Sequence, residues 1–256
     1  SLLAGAALST PCARAEDLAV TVDGETLSGA AFAREGVTYA PLVPLLDALG
    51  GWETTWDPSS RTASAETALF DLDVPVGRSH VLADGFPFSL SAGTLVWGGR
   101  TYVPLRSVAN LLGAQVDFAG WDSPVEVRTA PAQDYTQEDL YWLSRIISAE
   151  SRGEPLAGQI AVGNVILNRT ASDTFPDTIK EVIFDRKDAV QFEPVSNGTI
   201  YDEPTAQSVL AAQLVLGGTS VAGDCLYFFN PEFSRGTWIR ENRTWFSQIG
   251  CHLFYL

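Results

Sequence analysis

Positive charge is scarce in this sequence. It has 16 Lys and Arg against 31 Asp and Glu, a formal net charge of −15. A chain this acidic has no general attraction for nucleic acid or anionic lipid. Histidine and cysteine are rarer still, at two and three residues. That excludes a zinc finger or a His-rich metal centre, so no metal and no cofactor is expected. Beyond the N-terminus no run of about 18 apolar residues exists to cross a bilayer. Met is absent even at position 1, so the sequence is expected to be less than the full translation product. What is present is a globular composition: 46% hydrophobic and 18% charged over 256 residues. That is too apolar for disorder and long enough for one core or two.

Residues 1–15 read SLLAGAALSTPCARA. A short apolar stretch ends in Ala13-Arg14-Ala15 before the acidic pair Glu16-Asp17. This reads as the remnant of a secretory signal peptide with an A-x-A cleavage site, its basic front missing; the alternative is an ordinary N-terminal helix. Cleavage would remove Cys12 and leave Cys225 and Cys251. An even pair in an exported chain predicts a disulfide, with two buried thiols as the alternative.

The first half contains a repeat. Residues 36–50, GVTYAPLVPLLDALG, align with residues 99–113, GRTYVPLRSVANLLG, and seven of fifteen positions are identical. Each copy reads as strand, turn, a short helix starting at the Pro, a Gly stop and a second strand. Leu42, Leu45, Leu46 and Leu49 form one apolar helix face; Leu105, Val108, Ala109 and Leu112 repeat it. The T-Y-x-P-L…L-G signature and its duplication resemble the copper amine oxidase N-terminal-like domain over roughly residues 18–129. From 16 to 130 there are six Arg, no Lys and 15 acidic residues, and His80 is the only histidine. No nucleophile with a base and no phosphate loop is visible. The module reads as a binding or targeting unit for an extracellular polymer, or as a spacer. Residues 130–136, APAQDYT, read as a linker.

From Thr136 the pattern turns helical, opening on a capping-box-like Thr136-x-x-Asp139. A helix from Gln137 to about Ser151 puts Leu140, Leu143, Ile146 and Ile147 on one face. Glu150 falls about 20° from Leu143 and about 40° from Ile146 on that wheel. It is a carboxylate on an apolar stripe, in the last turn of its helix. Burial and the helix C-terminus both disfavour its charge, so its pKa should rise. A carboxyl kept protonated near neutral pH is what general acid catalysis needs. A bland alternative is a Glu paired with Arg145 or Arg169. Further helices are read at 156–169, from Pro176, and from Thr205 to Leu216; strands are read at Cys225–Phe229 and Cys251–Tyr255.

The blocks AESRGEPLAGQIAVGNVILNR (149–169), FPDTIKEVIFD, QFEPVSNGTI, LYFFNP and IGCHLFYL follow in order. Together they resemble the SleB-type cell-wall hydrolase family over nearly all of residues 138–256. The resemblance implies a lysozyme-like domain that cleaves peptidoglycan glycan strands, with Glu150 as the acid. Glu154, between Gly153 and Pro155, reads as a turn residue. Gln191, Tyr227, Asn230, Trp238 and His252 are the candidate sugar-binding residues, because sugar sites combine flat aromatic faces with amide and hydroxyl partners.

Most glycosidases use two carboxylates; here one is well placed. One suffices if the muramic acid 6-hydroxyl attacks its own anomeric carbon, as in the lytic transglycosylases related to this family. A water-dependent muramidase would need Asp202, Glu203 or Glu193 as base, and a non-catalytic wall-binding protein is the further alternative. The expected fold is α+β: a duplicated strand-helix-strand module at 16–130, then a mainly helical lysozyme-like domain with a small sheet at 136–256. The expected partner is peptidoglycan, and the expected location is outside the cell, in the wall or spore envelope.

Overall fold

The computed structural model describes residues 16–50, 52–66, 69–129, 135–187 and 191–256. The expected signal segment with Cys12, and residues 130–134 of the expected linker, lie outside the described residues. The fold is mixed α+β. In chain order the first half contains β1 (Glu16–Leu18), β2 (Val20–Val22), β3 (Glu25–Thr26), β4 (Ala31–Arg34), β5 (Val37–Pro41), α1 (Leu42–Leu49), β6 (Glu53–Asp57), β7 (Thr62–Glu66), β8 (Asp71–Pro75), β9 (His80–Ala83), β10 (Phe86–Ser89), β11 (Leu95–Trp97), β12 (Arg100–Pro104), α2 (Leu105–Leu111), β13 (Gln115–Asp117) and β14 (Val125–Arg128). These strands make three sheets, ordered β1-β4-β5-β12-β11, β13-β14-β2-β3 and β10-β9-β8-β7-β6.

The two repeats meet in the first sheet. Tyr39 pairs with Pro104, Ala40 with Val103, and Pro41 with Tyr102. Equivalent residues of the two copies thus exchange places across a local two-fold axis. The side chains obey the same symmetry: Tyr39 Oη donates to Gly93 O at 3.2 Å, and Tyr102 Oη to Ala30 O at 3.0 Å. Each strand runs straight into its helix, and Pro41 and Pro104 stand at the N-caps rather than inside the first turn. The ring fixes φ at a value both states share while the missing N–H costs the helix nothing. Between β1 and β2 the chain passes from one sheet to another at Ala19, whose O accepts from Val125 N.

The second half contains α3 (Gln137–Ser151), α4 (Leu156–Thr170), α5 (Ile179–Phe184), α6 (Glu193–Asn197), a 3-10 turn at Thr199–Tyr201, α7 (Ala206–Leu216), β15 (Tyr227–Phe229), α8 (Thr237–Asn242), β16 (Trp245–Ile249) and β17 (His252–Tyr255). Its sheet is ordered β15-β17-β16. The capping box forms as expected, with Asp139 N donating to Thr136 Oγ1 and Thr136 N to Asp139 Oδ2. Helix α4 is central, with Leu156, Ile160, Val162, Val165 and Ile166 buried. Its Gly163 lets α3 and α7 close in: a Cβ there would lie 2.8 Å from Ile147 Cδ1 and 2.9 Å from Val215 Cγ2. Pro176 does not open α5; Thr178 caps it, two residues later, by accepting from Glu181 N.

The expected disulfide is absent: Cys225 is a buried free thiol and Cys251 an exposed one. Both were read as strand starts, but β15 and β17 run antiparallel, with Tyr227 opposite Tyr255 and Phe229 opposite Leu253. That register puts Cys251 opposite position 231, six residues from Cys225. At about 3.4 Å per residue the separation is roughly 20 Å, far beyond the ~7 Å a disulfide spans.

The halves touch through the Asp84-Gly85 turn between β9 and β10. Both residues have positive φ, 49° and 77°, as a two-residue hairpin turn requires. Asp84 Oδ2 accepts from Leu156 N at 2.9 Å and from Gln207 Nε2 at 3.3 Å. It therefore satisfies a first-turn N–H of α4 that the helix itself leaves unpaired. Asp84→Gly tolerates the turn but removes the acceptor. Urea denaturation should show a loss of about 1–3 kcal/mol, smaller for Asp84→Asn, which keeps an oxygen. Wild-type stability in Asp84→Gly would show that this contact contributes nothing.

Candidate active site

A cleft of about 620 Å³ opens where the end of α3 meets α6 and the sheet. That is ample for a saccharide unit. Helix α3 delivers Glu150 in its last turn, on the stripe that Leu143, Ile146 and Ile147 bury. The carboxyl makes no hydrogen bond or ion pair among the described residues. Burial first, and the Glu193 carboxylate second, raise its pKa to about 7, while the Arg169 guanidinium pulls the other way.

Neither arginine proposed as its partner is paired with it. Arg145 Nη2 sits 2.9 Å from Glu203 Oε1. Arg169 is buried, donating through Nε to Leu226 O at 2.8 Å and through Nη1 toward Gln191 Oε1 at 3.4 Å. Phe175 and Phe192 flank its guanidinium at 4.6 and 5.3 Å. That packing lowers its pKa to about 10, so it keeps its charge at neutral pH. It acts on Glu150 through space and leaves the carboxyl free to carry a proton.

Of the residues expected from sequence, Gln191, Asn230 and His252 line the cleft with Glu150. Tyr227 and Trp238 do not. They pack edge to face at 5.9 Å beside Arg243, whose Nη2 donates to Tyr227 Oη at 2.8 Å. His252 is buried, and burial lowers its pKa despite the nearby Glu154 carboxylate. Its Nδ1 lies 3.6 Å from Glu154 Oε1 and the ring is neutral at pH 7.

Glu154 does more than shape its own turn. Its Oε2 accepts from Cys251 N at 2.8 Å and pins the loop after α3 to the β16–β17 turn. Gly250 makes room for it, at φ +59°; a Cβ there would fall 1.8 Å from Oε2. Sequence spacing does not point to Phe233, 88% exposed at the cleft lining, nor does it single out Glu193, which lines the same cleft as Glu150 and Glu154. An unpaired surface aromatic in an Asn-Pro loop has no periodicity that marks it.

Residues 153–255 match the cell wall hydrolase family model, and residues 21–127 match the copper amine oxidase N-terminal domain model. Over 122 residues the chain is 39% identical to a spore cortex-lytic enzyme of Oceanobacillus iheyensis, covering 48% of this chain and 43% of that one. It is 30% identical over 103 residues to the cell wall hydrolase CwlJ of Halalkalibacterium halodurans, covering 38% of this chain and 71% of that protein. A solved catalytic domain of the germination-specific lytic transglycosylase SleB from Bacillus anthracis is 37% identical, covering 49% of this chain and 99% of that one, with a TM-score of 0.45. The match thus spans less than half the length of the spore cortex-lytic enzyme. The family match begins three residues after Glu150, so the case for that residue is geometric. The copper in the second family's name finds no donors here: among the described residues no group of three His, Cys, Asp or Glu could hold a metal ion.

The raised pKa of Glu150 has a thermodynamic signature. The folded state holds this proton more tightly than the unfolded chain, whose Glu titrates near 4.5. The stability linked to it is full below pH 4.5 and declines as pH rises toward 7. Glu150→Gln should therefore match wild type at pH 4 and exceed it at pH 8, by about 1–3 kcal/mol after allowance for cleft water. Thermal unfolding at the two pH values measures this; an equal difference at both would reject the buried-acid description.

Proposed function

Because the chain belongs to the cell wall hydrolase family, we propose that it cleaves peptidoglycan glycan strands with Glu150 as the acid. The observation that carries this reading is a carboxyl with a pKa of about 7, unpaired, in a cleft wide enough for sugars. At neutral pH a large fraction is protonated and ready to donate. Glu150 gives its proton to the glycosidic oxygen as the bond to the muramic anomeric carbon breaks. The muramic 6-hydroxyl closes onto that carbon, and Glu150, now a carboxylate, takes the hydroxyl proton. A 1,6-anhydro ring forms, no water is consumed, and the acid is regenerated. Arg169 steadies the carboxylate between the two transfers. Phe233 offers a flat face to a sugar ring, and Gln191 and Asn230 offer amides to its hydroxyls. The substrate lies outside the cell, in wall or spore-cortex peptidoglycan, and residues 16–130 serve as the wall-targeting module of an exported chain.

Hydrolysis by water is the second reading, and one observation favours it: Glu193 lines the same cleft and would be the base. Asp202 and Glu203 are outside the lining, and Glu203 is held by Arg145.

Glu150→Gln should lower release of muropeptides from purified sacculi by about 10²–10⁴-fold or more with the fold intact, since that is the usual worth of a general acid. Mass spectra of wild-type products should show anhydromuramic ends. Glu193→Gln should keep most of the rate at pH 6 and move the alkaline limb of the profile downward, because a neighbour that raises the Glu150 pKa is gone. Reducing ends, with a large loss in Glu193→Gln, would instead establish the water mechanism. A folded wild type that releases nothing would leave a wall-binding protein.

A further inference from the structure

The two-fold pairing of the repeats creates two related grooves in the first half. Each lies between the hairpin turn of one copy and the helix and following strand of the other. The first, about 310 Å³, runs between residues 36–38 and α2; Thr38, Ser91, Arg106, Phe118 and Trp121 line it. The second, about 440 Å³, runs between residues 99–101 and α1; Thr54, Thr55, Trp56, Arg100 and Thr101 line it. Positions 36 and 99, 37 and 100, 38 and 101, 43 and 106, and 55 and 118 are equivalent in the repeat, and both members of each pair line their groove.

The chemistry of the two grooves agrees where their residues differ. Each carries an exposed tryptophan: Trp121 at 61% and Trp56 at 48%. Trp121 is steadied edge to face by Phe118 at 5.4 Å. Each carries one arginine, from the helix in the first groove and from the hairpin in the second. Neither Arg106 nor Arg100 has a carboxylate partner among the described residues, although this half holds 15 acids and only six arginines. Arg106 Nη1 donates to Val116 O, which holds it at the groove wall. Cations without a carboxylate partner beside exposed indoles in an acidic module need an explanation. A core or a surface salt-bridge network supplies none.

We propose that these grooves are paired glycan-binding sites, each taking a sugar unit of the peptidoglycan strand that the second half cleaves. The identity of this polymer rests on the cleavage reading above. A pyranose lays its apolar face on the indole, and the threonine and serine hydroxyls meet its hydroxyl groups. The guanidinium meets a carboxylate of the muramic lactyl group or its stem peptide. Two weak sites on one rigid module reach successive or neighbouring strands of an insoluble wall. The second contact is then intramolecular, so avidity exceeds either site's affinity.

The test uses the full chain. Trp56→Ala, Trp121→Ala and the double variant are co-sedimented with purified sacculi, and cleavage of short soluble glycan fragments is measured in parallel. Each single exchange should weaken sacculus binding about 10-fold or more, and the double should approach background, with soluble cleavage unchanged. A double variant that sediments like wild type overturns the proposal, whatever the fate of the catalytic reading; loss of soluble cleavage in wild type rejects only the latter. Oxidative footprinting of the Glu150→Gln chain guards against a folding defect in the tryptophan variants. Glycan strands should protect Trp56 and Trp121, and unchanged oxidation of both overturns the assignment. A dimer in solution that the tryptophan exchanges dissolve would assign the grooves to self-association and overturn it equally.

Discussion

The polar face of α4 holds the second half together. Asn164 donates to Thr219 O and accepts from Val221 N; Asn168 donates to Gly223 O and Cys225 O; Arg169 donates to Leu226 O. One helix thus binds, through buried and half-buried side chains, the backbone that leads into β15. At its other end Gln159 donates to Glu154 O and Gln207 Oε1, and accepts from Ser208. Each of these groups would carry a desolvation cost if left unpaired in the core, so the network is all or nothing. The sheet, the loop after α3 and α7 take their positions from it. The cleft exists because α4 sets the distance between the end of α3 and the strands.

That arrangement also sets the electrostatics of Glu150. Arg169 belongs to the same ladder, and it donates to the Leu226 carbonyl and toward the Gln191 amide rather than to the carboxyl. Two charges of opposite sign act on Glu150 from across the cleft, Arg169 and Glu193, and burial outweighs both. The acid is therefore tuned mainly by desolvation. A direct ion pair would have held it ionised and unfit to donate a proton at neutral pH.

The first half reaches its stability differently. Its repeats use the same strand-to-helix corner twice and pair the copies back to back, so each tyrosine closes the other copy's loop. The cores of the two halves meet at Asp84 and at Gly113, where a Cβ would press within 2.9 Å of Leu210 Cδ1. Among the eight positions at which the copies differ, Val43 against Arg106 and Val37 against Arg100 line the grooves, while the corner residues Tyr, Pro and Leu are the same in both.

Local information sufficed for much of this. The repeat, the capping box at Thr136, the extents of α3 and α7 and the apolar setting of Glu150 follow from spacing and caps, which depend on residues within a turn or two of each other. Only the tertiary structure could decide what depends on distant partners. That Arg145 is taken by Glu203 and Arg169 by the 226 carbonyl is not written near either arginine. Nor is the approach of Glu154 to the Cys251 amide, or the entry of Glu193 and Phe233 into the cleft while Tyr227 and Trp238 stay out of its lining. The cysteines show the limit plainly. Their export context suggested a bond, but the antiparallel direction of two strands put them at opposite ends. Strand direction is settled by how the whole sheet packs on α4, not by the residues beside either thiol.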